Sequence, residues 1–404
     1  MPASDATPAV LAICGGGNGA HALAAVASAH FNGDIVWLTS SEEKADRLRQ
    51  GVFSAQGLRA TGAVEATARR VRTVSADPAA VIPQSDLVVL VVPAFAHLPL
   101  LSRVAPYLKT GAWIVAMPSR SGFEFDLRAV ATLKPDRRRV VIGFQTFPWL
   151  CRIREFGREV KVNATKATVS AAALPVAAAP AAMTAMSGII GMEVAALPTF
   201  LDLTLGNTGQ IIHPVGMYGL FGAWTDRVYA EEEIPAFYAG MDEETGRLLE
   251  AVSDEIVTVA RALAVAAQGK LDLRGVLPIR TWLQTAYAHA IADSSTLARA
   301  FSTNAAYRGV MAPMRQIAPG AYVPDFGHRF LTEDIPYGLV VTKAIAQIAG
   351  VATPHIDTVI SWAQEKMGKQ YLVHSALEGR DTHPLRIPQR YGITTIADLV
   401  AAYL

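Results

Sequence analysis

The stretch Cys14-Gly15-Gly16-Gly17-Asn18-Gly19-Ala20-His21 decides the fold of the first half of this chain. It lies between the apolar run Val10-Leu11-Ala12-Ile13 and an alanine-rich helical segment from Ala22 to Ala29. Strand, glycine turn and helix in that order, with G-x-G-x-x-A spacing at Gly15, Gly17 and Ala20, form a dinucleotide-binding turn. Gly15 lets the chain turn sharply off the strand. Gly17 lets the backbone approach a pyrophosphate, and small Ala20 lets the helix pack closely on the sheet. The helix N-terminus offers N–H groups and a positive dipole end to the phosphates. The coenzyme residues expected on this basis are Gly15, Gly16, Gly17, Asn18, Gly19 and Ala20, joined by Thr39 after the second strand and by Val92 and Pro93 after a later one.

Beyond this turn, Ile35-Val36-Trp37-Leu38 reads as the second strand and Glu42 to Gln50 as the helix after it. Asp77-Pro78 reads as an N-cap with proline at the first helical position. The continuous run Leu87 to Val92 has the β-branched character of a parallel strand covered on both faces. Further strands are expected at Trp113 to Met117 and Val140 to Phe144, with a helix around Glu124 to Leu133 between them. Alternating strands and helices predict an α/β domain with a doubly wound parallel sheet. From about Pro198 the pattern turns helical. Leu249, Val252, Ile256, Val259 and Leu263 form an apolar stripe on a helix from about Glu243 to Ala267, and further helices are expected at Leu339 to Ile348 and Ile356 to Met367. The expected division is 1–197, dinucleotide-binding, and 198–404, an all-α substrate and catalytic domain; the Ala/Pro-rich stretch 171–182 should lie near their junction.

A chain of 404 residues is long enough for two cores. With 51% hydrophobic residues, 18% charged residues and a formal net charge of +1, small molecules are the expected partners, not nucleic acid. The segment from Ala171 to Ala196 is interrupted by Pro175, Pro180, Gly188, Gly191 and Glu193, so no membrane partner is expected. Two cysteines, Cys14 and Cys151, and no signal-peptide pattern suit a reducing cytoplasm. There is no C-x-x-C, H-E-x-x-H or G-x-S-x-G, so neither a metal site nor a serine hydrolase is expected.

Chemistry needs a proton carrier. His213, in Gly209-Gln210-Ile211-Ile212-His213-Pro214, lies early in the second domain, where a cleft would form. In Val323 to Pro336, Thr332 is suited to cap a helix and Glu333 and Asp334 to complement its dipole, with Arg329 as a solvated loop charge. The same segment also supplies what a dehydrogenase acting on a carbonyl or imine requires beside a histidine: a carboxylate to orient it, Asp334, and a cation for a substrate carboxylate, Arg329. Arg120, Thr146, Trp149, Cys151 and Arg152 follow predicted strands, where doubly wound folds bind ligands.

CGGGNGAH (14–21), VVPAFAH (91–97), PSRSGFEF (118–125), FPWLCRIREFGR (147–158), IIHP (211–214), VPDFGHRFLTEDIP (323–336) and WAQEKMGKQYLV (362–373) resemble the octopine/opine dehydrogenase family over nearly the whole chain. The resemblance implies an N-terminal Rossmann domain, a helical C-terminal domain, and NADH-dependent reductive condensation of an amino acid with a 2-oxo acid, pyruvate foremost, to an N-(carboxyalkyl) amino acid. It implies His213 as catalytic histidine, Arg329 as the substrate-polarising arginine and Asp334 as its carboxylate partner. Thr146 and Cys151 fall at positions that contact substrate. Arg120 replaces a family glutamine that serves the keto acid, and a cation there can hold a second carboxylate or reorient the first. Residues Asp202 to Gln210 also depart from the family pattern.

NADH is the expected coenzyme, with NADPH left open. The second strand ends in Leu38-Thr39-Ser40-Ser41 without an acid, while Glu42 or Glu43 can reach a ribose and Lys44 or Arg47 a 2′-phosphate. A monomer or homodimer is expected. The rival readings are a 2-oxo acid/2-hydroxy acid dehydrogenase of the same two-domain plan and a dinucleotide-binding sensor without turnover.

Overall fold

The computed structural model describes residues 8–130, 136 and 138–403. The chain forms two compact units, one reaching Leu203 and including Tyr403, the other Thr204–Ala402. The first unit contains strands β1 (Val10–Cys14), β2 (Asp34–Leu38), β3 (Arg59–Gly62), β4 (Ala66–Thr67), β5 (Val71–Ser75), β6 (Leu87–Leu90), β7 (Trp113–Ala116), β8 (Val141–Phe144), β9 (Trp149–Glu155), β10 (Glu159–Thr165), β11 (Thr168–Leu174) and β12 (Glu193–Ala196).

Eight of these make one sheet in the order β12-β11-β8-β7-β6-β1-β2-β5. From β5 to β8 every pairing is parallel, and β11 enters antiparallel to β8. All four residues of β6 are buried, as the unbroken apolar run requires of a strand covered on both faces. Chain order reverses between β1 and β6, and in such a sheet the ligand crevice opens beyond the strand ends at that point. The alanine-rich stretch 171–182 supplies the end of β11 and the start of the helix Ala179–Ile190. The helix expected at Glu124 to Leu133 runs over Phe123–Ala129, and residues 131–133 lie outside the described residues.

A second sheet, β4-β3-β10-β9, has no counterpart in the sequence reading. It explains the composition of the helix Asn18–His30, in which residues 20 to 27 are all buried. A helix packed against the large sheet and the small one has no solvent face, so alanine replaces an amphipathic pattern. The one polar ring inside it, His21, is fully satisfied. Its Nδ1–H donates to the Gly17 carbonyl at 2.9 Å, and Nε2 accepts the Gly157 N–H at 3.0 Å. Trp37 and Phe156 meet the ring edge-on.

The chain passes between the units six residues later than the sequence reading places it, between Leu203 and Thr204. The reason is local: in the helix Phe200–Leu205, Phe200 and Leu203 lie against Gly143 of β8, with the Phe200 ring 2.5 Å from where a Cβ at 143 would stand. The second unit is helical, with helices Gly209–Phe221, Glu243–Ala266, Val340–Ala349 and Pro354–Lys366. Asp242 caps the long one by accepting the Thr245 N–H at 2.8 Å, and the stripe from Leu249 to Leu263 is buried. Against the all-α expectation the unit also holds a hairpin, β13 (Met314–Ala318) and β14 (Ala321–Pro324). Among the described residues no helix is long and apolar enough to cross a membrane.

Burial lowers the His21 imidazole to about 4, only partly offset by its bond to Gly17. The unfolded chain therefore takes up this proton first as pH falls. The stability involved is complete above about pH 6.5 and is lost progressively towards pH 4, by up to ~3 kcal/mol. In a histidine NMR titration, the resonance absent from His21→Asn is expected to stay unprotonated down to pH 5; a midpoint near 6.5 would contradict the buried ring.

Candidate active site

The glycine turn is built by close backbone approaches. Gly15 has φ +148°, donates its N–H to Leu38 at 2.9 Å and accepts the Trp37 indole N–H at 2.6 Å. A Cβ on Gly15 would stand 2.4 Å from the Val91 carbonyl oxygen, so only glycine joins the ends of β1 and β6 here. Val92 lies against the same spot, and Pro93 leads into the single turn Ala94–Ala96. Gly19 is pressed by the Phe147 ring at 2.6 Å from its Cβ position, and Ala20 is buried. Asn18 has a structural task that the sequence does not announce: its Oδ1 accepts the Ile153 N–H of β9 at 2.9 Å.

The turn fits a dinucleotide. Gly17 has nothing within 4 Å of its Cβ position, and the helix beginning there has neither a side-chain cap nor an acid in its first turn. Its N–H groups face an open, uncharged approach. Beside it, the Thr39 hydroxyl is buried without a hydrogen-bond partner, 3.3 Å from the Gly16 Cβ position.

The second unit brings His213 and Asp334 together. The Nδ1–H of His213 donates to Asp334 Oδ2 at 2.7 Å, and the Asp334 side chain is wholly buried. An acceptor-only carboxylate on Nδ1 fixes the tautomer and leaves Nε2 as the working nitrogen. The Tyr238 hydroxyl stands 3.4 Å from Nε2. Burial, reinforced by Tyr287 and Asp334, holds that phenol well above its ordinary range, so it donates to Nε2. Phe330 stacks on the imidazole at 3.8 Å and 10°, and His328 meets Phe330 edge-on. The sequence reading missed Tyr238 and Phe330; the aromatic residue directly after Arg329 was the available signal for the latter.

Helix ends set this geometry. His328 caps the short helix Arg329–Thr332, its Nδ1 accepting the Phe330 N–H at 3.3 Å with burial lowering its pKa, and the next helical turn starts from Asp334 and not from Thr332. Thr332 ends that helix and donates back to the carbonyls of Gly327 and His328. Glu333, expected at a solvated first turn, is buried and holds Arg329 at 2.9 Å, leaving the arginine side chain 54% exposed. After Asp334 the chain makes a π turn, Ile335–Leu339, with Leu339 N–H reaching the Asp334 carbonyl at 3.1 Å. Such wide turns re-aim side chains at functional sites. Gly338 in this turn lies so close to Gln210 that a Cβ would be 2.4 Å from the Gln210 Cβ.

The remaining expected residues lie in the first unit on separate segments. Arg120, in the turn after β7, is 7% exposed with φ +59°, a left-handed backbone that costs arginine about 1 kcal/mol or more. Thr146 is half-buried in the loop after β8. Lys166 anchors that loop, donating to the Phe147 carbonyl at 2.8 Å, and burial pulls its ammonium down to about 8. Cys151 is a core residue of β9 whose thiol burial pushes up to about 11, so it is no nucleophile near neutral pH.

Fold and site define a two-unit, nicotinamide-dinucleotide oxidoreductase with a histidine–carboxylate pair. Residues 196–367 match the family described as NAD/NADP octopine/nopaline dehydrogenase, alpha-helical domain. An opine dehydrogenase of Haliotis discus hannai is 37% identical over 400 residues, covering 96% of this chain and 97% of that one. A tauropine dehydrogenase of Arabella iricolor is 34% identical over 400 residues, covering 97% and 100%. A solved octopine dehydrogenase with NADH and L-arginine superposes with a TM-score of 0.85 at 34% identity, over 97% of both chains. The chain belongs to the octopine/opine dehydrogenase family, oxidoreductases acting on CH–NH donors.

Two glycines are expected to separate the parts of the site. Gly15→Ala should weaken coenzyme binding at least about tenfold through its clash with Val91. Gly338→Ala should lower turnover by about as much with coenzyme affinity retained, because the pair His213–Asp334 is pushed apart. Titrations and initial rates on both variants check this; equal losses in both measurements for either variant would show that the two glycines do not act separately.

Proposed function

We propose that the chain condenses an L-amino acid with a 2-oxo acid, pyruvate foremost, and reduces the resulting imine to an N-(carboxyalkyl) amino acid. The observation that carries this reading is the His213–Asp334 pair, whose outward nitrogen Nε2 is held in acceptor form. The family supports the substrate classes: solved octopine dehydrogenases hold NADH with L-arginine or with pyruvate. Gly15 to Ala20, Thr39, Val92 and Pro93 are the residues that would hold NADH. When bound, the coenzyme supplies the hydride that the imine carbon receives.

The chain's own groups do the rest. Nε2 of His213 exchanges the proton that the substrate nitrogen must lose to form the imine and regain on its reduction. Asp334, buried against Nδ1, meets the charge the ring carries meanwhile. Arg329, anchored at one side by Glu333, presents the exposed part of its guanidinium to a substrate carboxylate and polarises the carbonyl beside it. Arg120, Thr146 and Cys151, in the first unit, are read as substrate-contact residues, Cys151 as a neutral one. Two free, buried cysteines support a cytoplasmic setting, and the near-neutral charge supports small-molecule substrates rather than nucleic acid. A monomer or homodimer suffices for this chemistry.

Oxidation of NADH by the purified protein is expected only when an amino acid and a 2-oxo acid are both present, in a panel of pyruvate, 2-oxoglutarate and glyoxylate crossed with amino acids. Oxidation with a 2-oxo acid alone would move the assignment to a 2-hydroxy acid dehydrogenase. His213→Asn is expected to lose turnover by about 100-fold or more and to keep NADH affinity; undiminished turnover would remove His213 from the chemistry.

A further inference from the structure

We propose that Lys166 is a positioning residue of the coenzyme site: its ammonium holds the loop 145–148 down on the glycine turn, so that NADH affinity depends on the charge of this one side chain. The inference rests on the reading of the glycine turn as a dinucleotide site.

Strand register puts Lys166 at the ligand edge of the large sheet. β11 runs antiparallel to β8 with Ala171 opposite Phe144, so its first residues, from Thr168, project past the C-terminal end of β8. β10 ends at Thr165, opposite Trp149, the first residue of β9. Lys166, between β10 and β11, therefore lies beyond the carboxyl ends of the parallel strands, where such a sheet binds its ligand. The loop from β8 to β9 lies beside it. The Lys166 N–H donates to the Pro148 carbonyl at 3.1 Å, and Nζ donates to the Phe147 carbonyl at 2.8 Å. At the other end of the loop, the Gln145 N–H donates to the Ser170 carbonyl at 2.9 Å.

This loop reaches the coenzyme helix through one ring. Phe147 lies 2.6 Å from the Cβ position of Gly19, with the Val91 side chain at 2.9 Å from the same point, and Trp149 backs the ring edge-on at 5.4 Å. Gly19 belongs to the first turn of the helix Asn18–His30, whose free N–H groups are the anion donors. A slack loop would release the wedge that fixes this turn.

The tie depends on charge. Lys166 is half-buried, and among the described residues no Asp or Glu forms an ion pair with it. Glu193, which lies across from Thr168 in the pairing of β11 with β12, is exposed and makes no contact with the ammonium. Glu155 and Glu159, at the far end of the β9–β10 hairpin, are taken by Arg158 and Arg59. Arg152, Arg154 and Lys161 on the same strands are exposed cations. An ammonium with no counter-ion is costly to bury, and groups perturbed in this way gather at functional sites. Burial pulls Lys166 down to about 8, whereas His21 stands at about 4, Cys151 at about 11 and Cys14 at about 12. Near pH 8 the lysine thus changes charge while its buried neighbours do not. A charge-assisted hydrogen bond is about twice as strong as a neutral one, so the bond to Phe147 weakens as the proton leaves.

Fluorescence titration of the purified protein with NADH from about pH 6.5 to about pH 9.5 tests this without turnover. Because the charged form holds the turn, Kd is expected to be level below about pH 7 and to rise about fivefold as pH passes through 8. Lys166→Met should weaken NADH at neutral pH by about the same factor and flatten the profile. Lys166→Arg, charged throughout, should flatten the profile with affinity retained. Phe147→Ala/Lys166→Met separates positioning from direct attraction of the anionic coenzyme: if the lysine acts through the ring, its loss adds nothing once the ring is gone. Additive losses, or a Kd for the unaltered protein that stays level across pH 8, would overturn the proposal. Failure of NADH to bind at any pH would overturn the reading of the glycine turn, and this inference with it.

Discussion

In the second unit the His213–Asp334 hydrogen bond depends on how near two backbones come at Gly338 and Gln210. Gln210 lies one helical turn before His213, and Gly338 one turn after Asp334. The glycine–glutamine approach and the histidine–aspartate bond are therefore neighbouring rungs of a single helix contact. Residues three and four apart share a face, so the separation set at one rung is passed to the next. A hydrogen bond at 2.7 Å between a ring and a buried carboxylate tolerates little change of that separation. The helix Gly209–Phe221 is fixed lower down by the same means: at Gly216 a Cβ would stand 2.5 Å from Met241, and at Gly219 2.1 Å from the Thr245 hydroxyl. Three missing side chains thus draw neighbouring structure onto the helix that carries His213.

The first unit uses close backbone approach for a different end. At Gly15 it joins the two strands flanking the reversal of the sheet, and at Gly51 it brings the Gly157 carbonyl within 2.1 Å of a Cβ position, so the β9–β10 turn sits down on the helix Glu42–Val52. That turn also supplies the N–H that His21 accepts. The coenzyme helix is in this way held from behind by a second sheet, while its N-terminus is left without cap or acid. Rigidity behind and open donors in front are what a preformed anion site requires.

Patterns that depend on neighbours along the chain were legible in the sequence. The parallel strands announced themselves because burial on both faces demands unbroken apolar runs, and the helix Glu243–Ala266 because its stripe has one face to bury. The small sheet was less plain. Trp149 and Cys151 point inward and Leu150 and Arg152 outward, a two-residue period present in the sequence but masked by an exposed leucine and a motif that invites a ligand reading. Glu333 and Thr332 were misread for a related reason. Both residue types suit a helix start, and nothing local shows that Thr332 instead ends a short helix capped by His328, or that Glu333 turns inward. Tyr238 could not be found at all, since the 25 positions separating it from His213 form no period. The boundary fell six residues late because Phe200 and Leu203 answer to a glycine in β8, far away in sequence.

The pairing of Glu333 with Arg329 explains how one arginine can be both fixed and available. An exposed arginine tied to an exposed acid gains little, because water competes for both partners and the long side chain keeps its freedom. Here the acid is 2% exposed and the arginine 54%, so the two ends of the pair live in different surroundings. The buried end is costly to leave unpaired, which holds the guanidinium on its helix. The exposed end retains donors in the planar fork that matches a carboxylate. A lysine in the same place would give its single ammonium to Glu333 and have no second edge to offer. The geometry therefore demands arginine, and it demands that the anchoring acid lie inside, one residue before the Asp334 that orients the histidine. Glu333 and Asp334 are consecutive buried carboxylates with different partners, one holding the Arg329 guanidinium and the other the His213 imidazole.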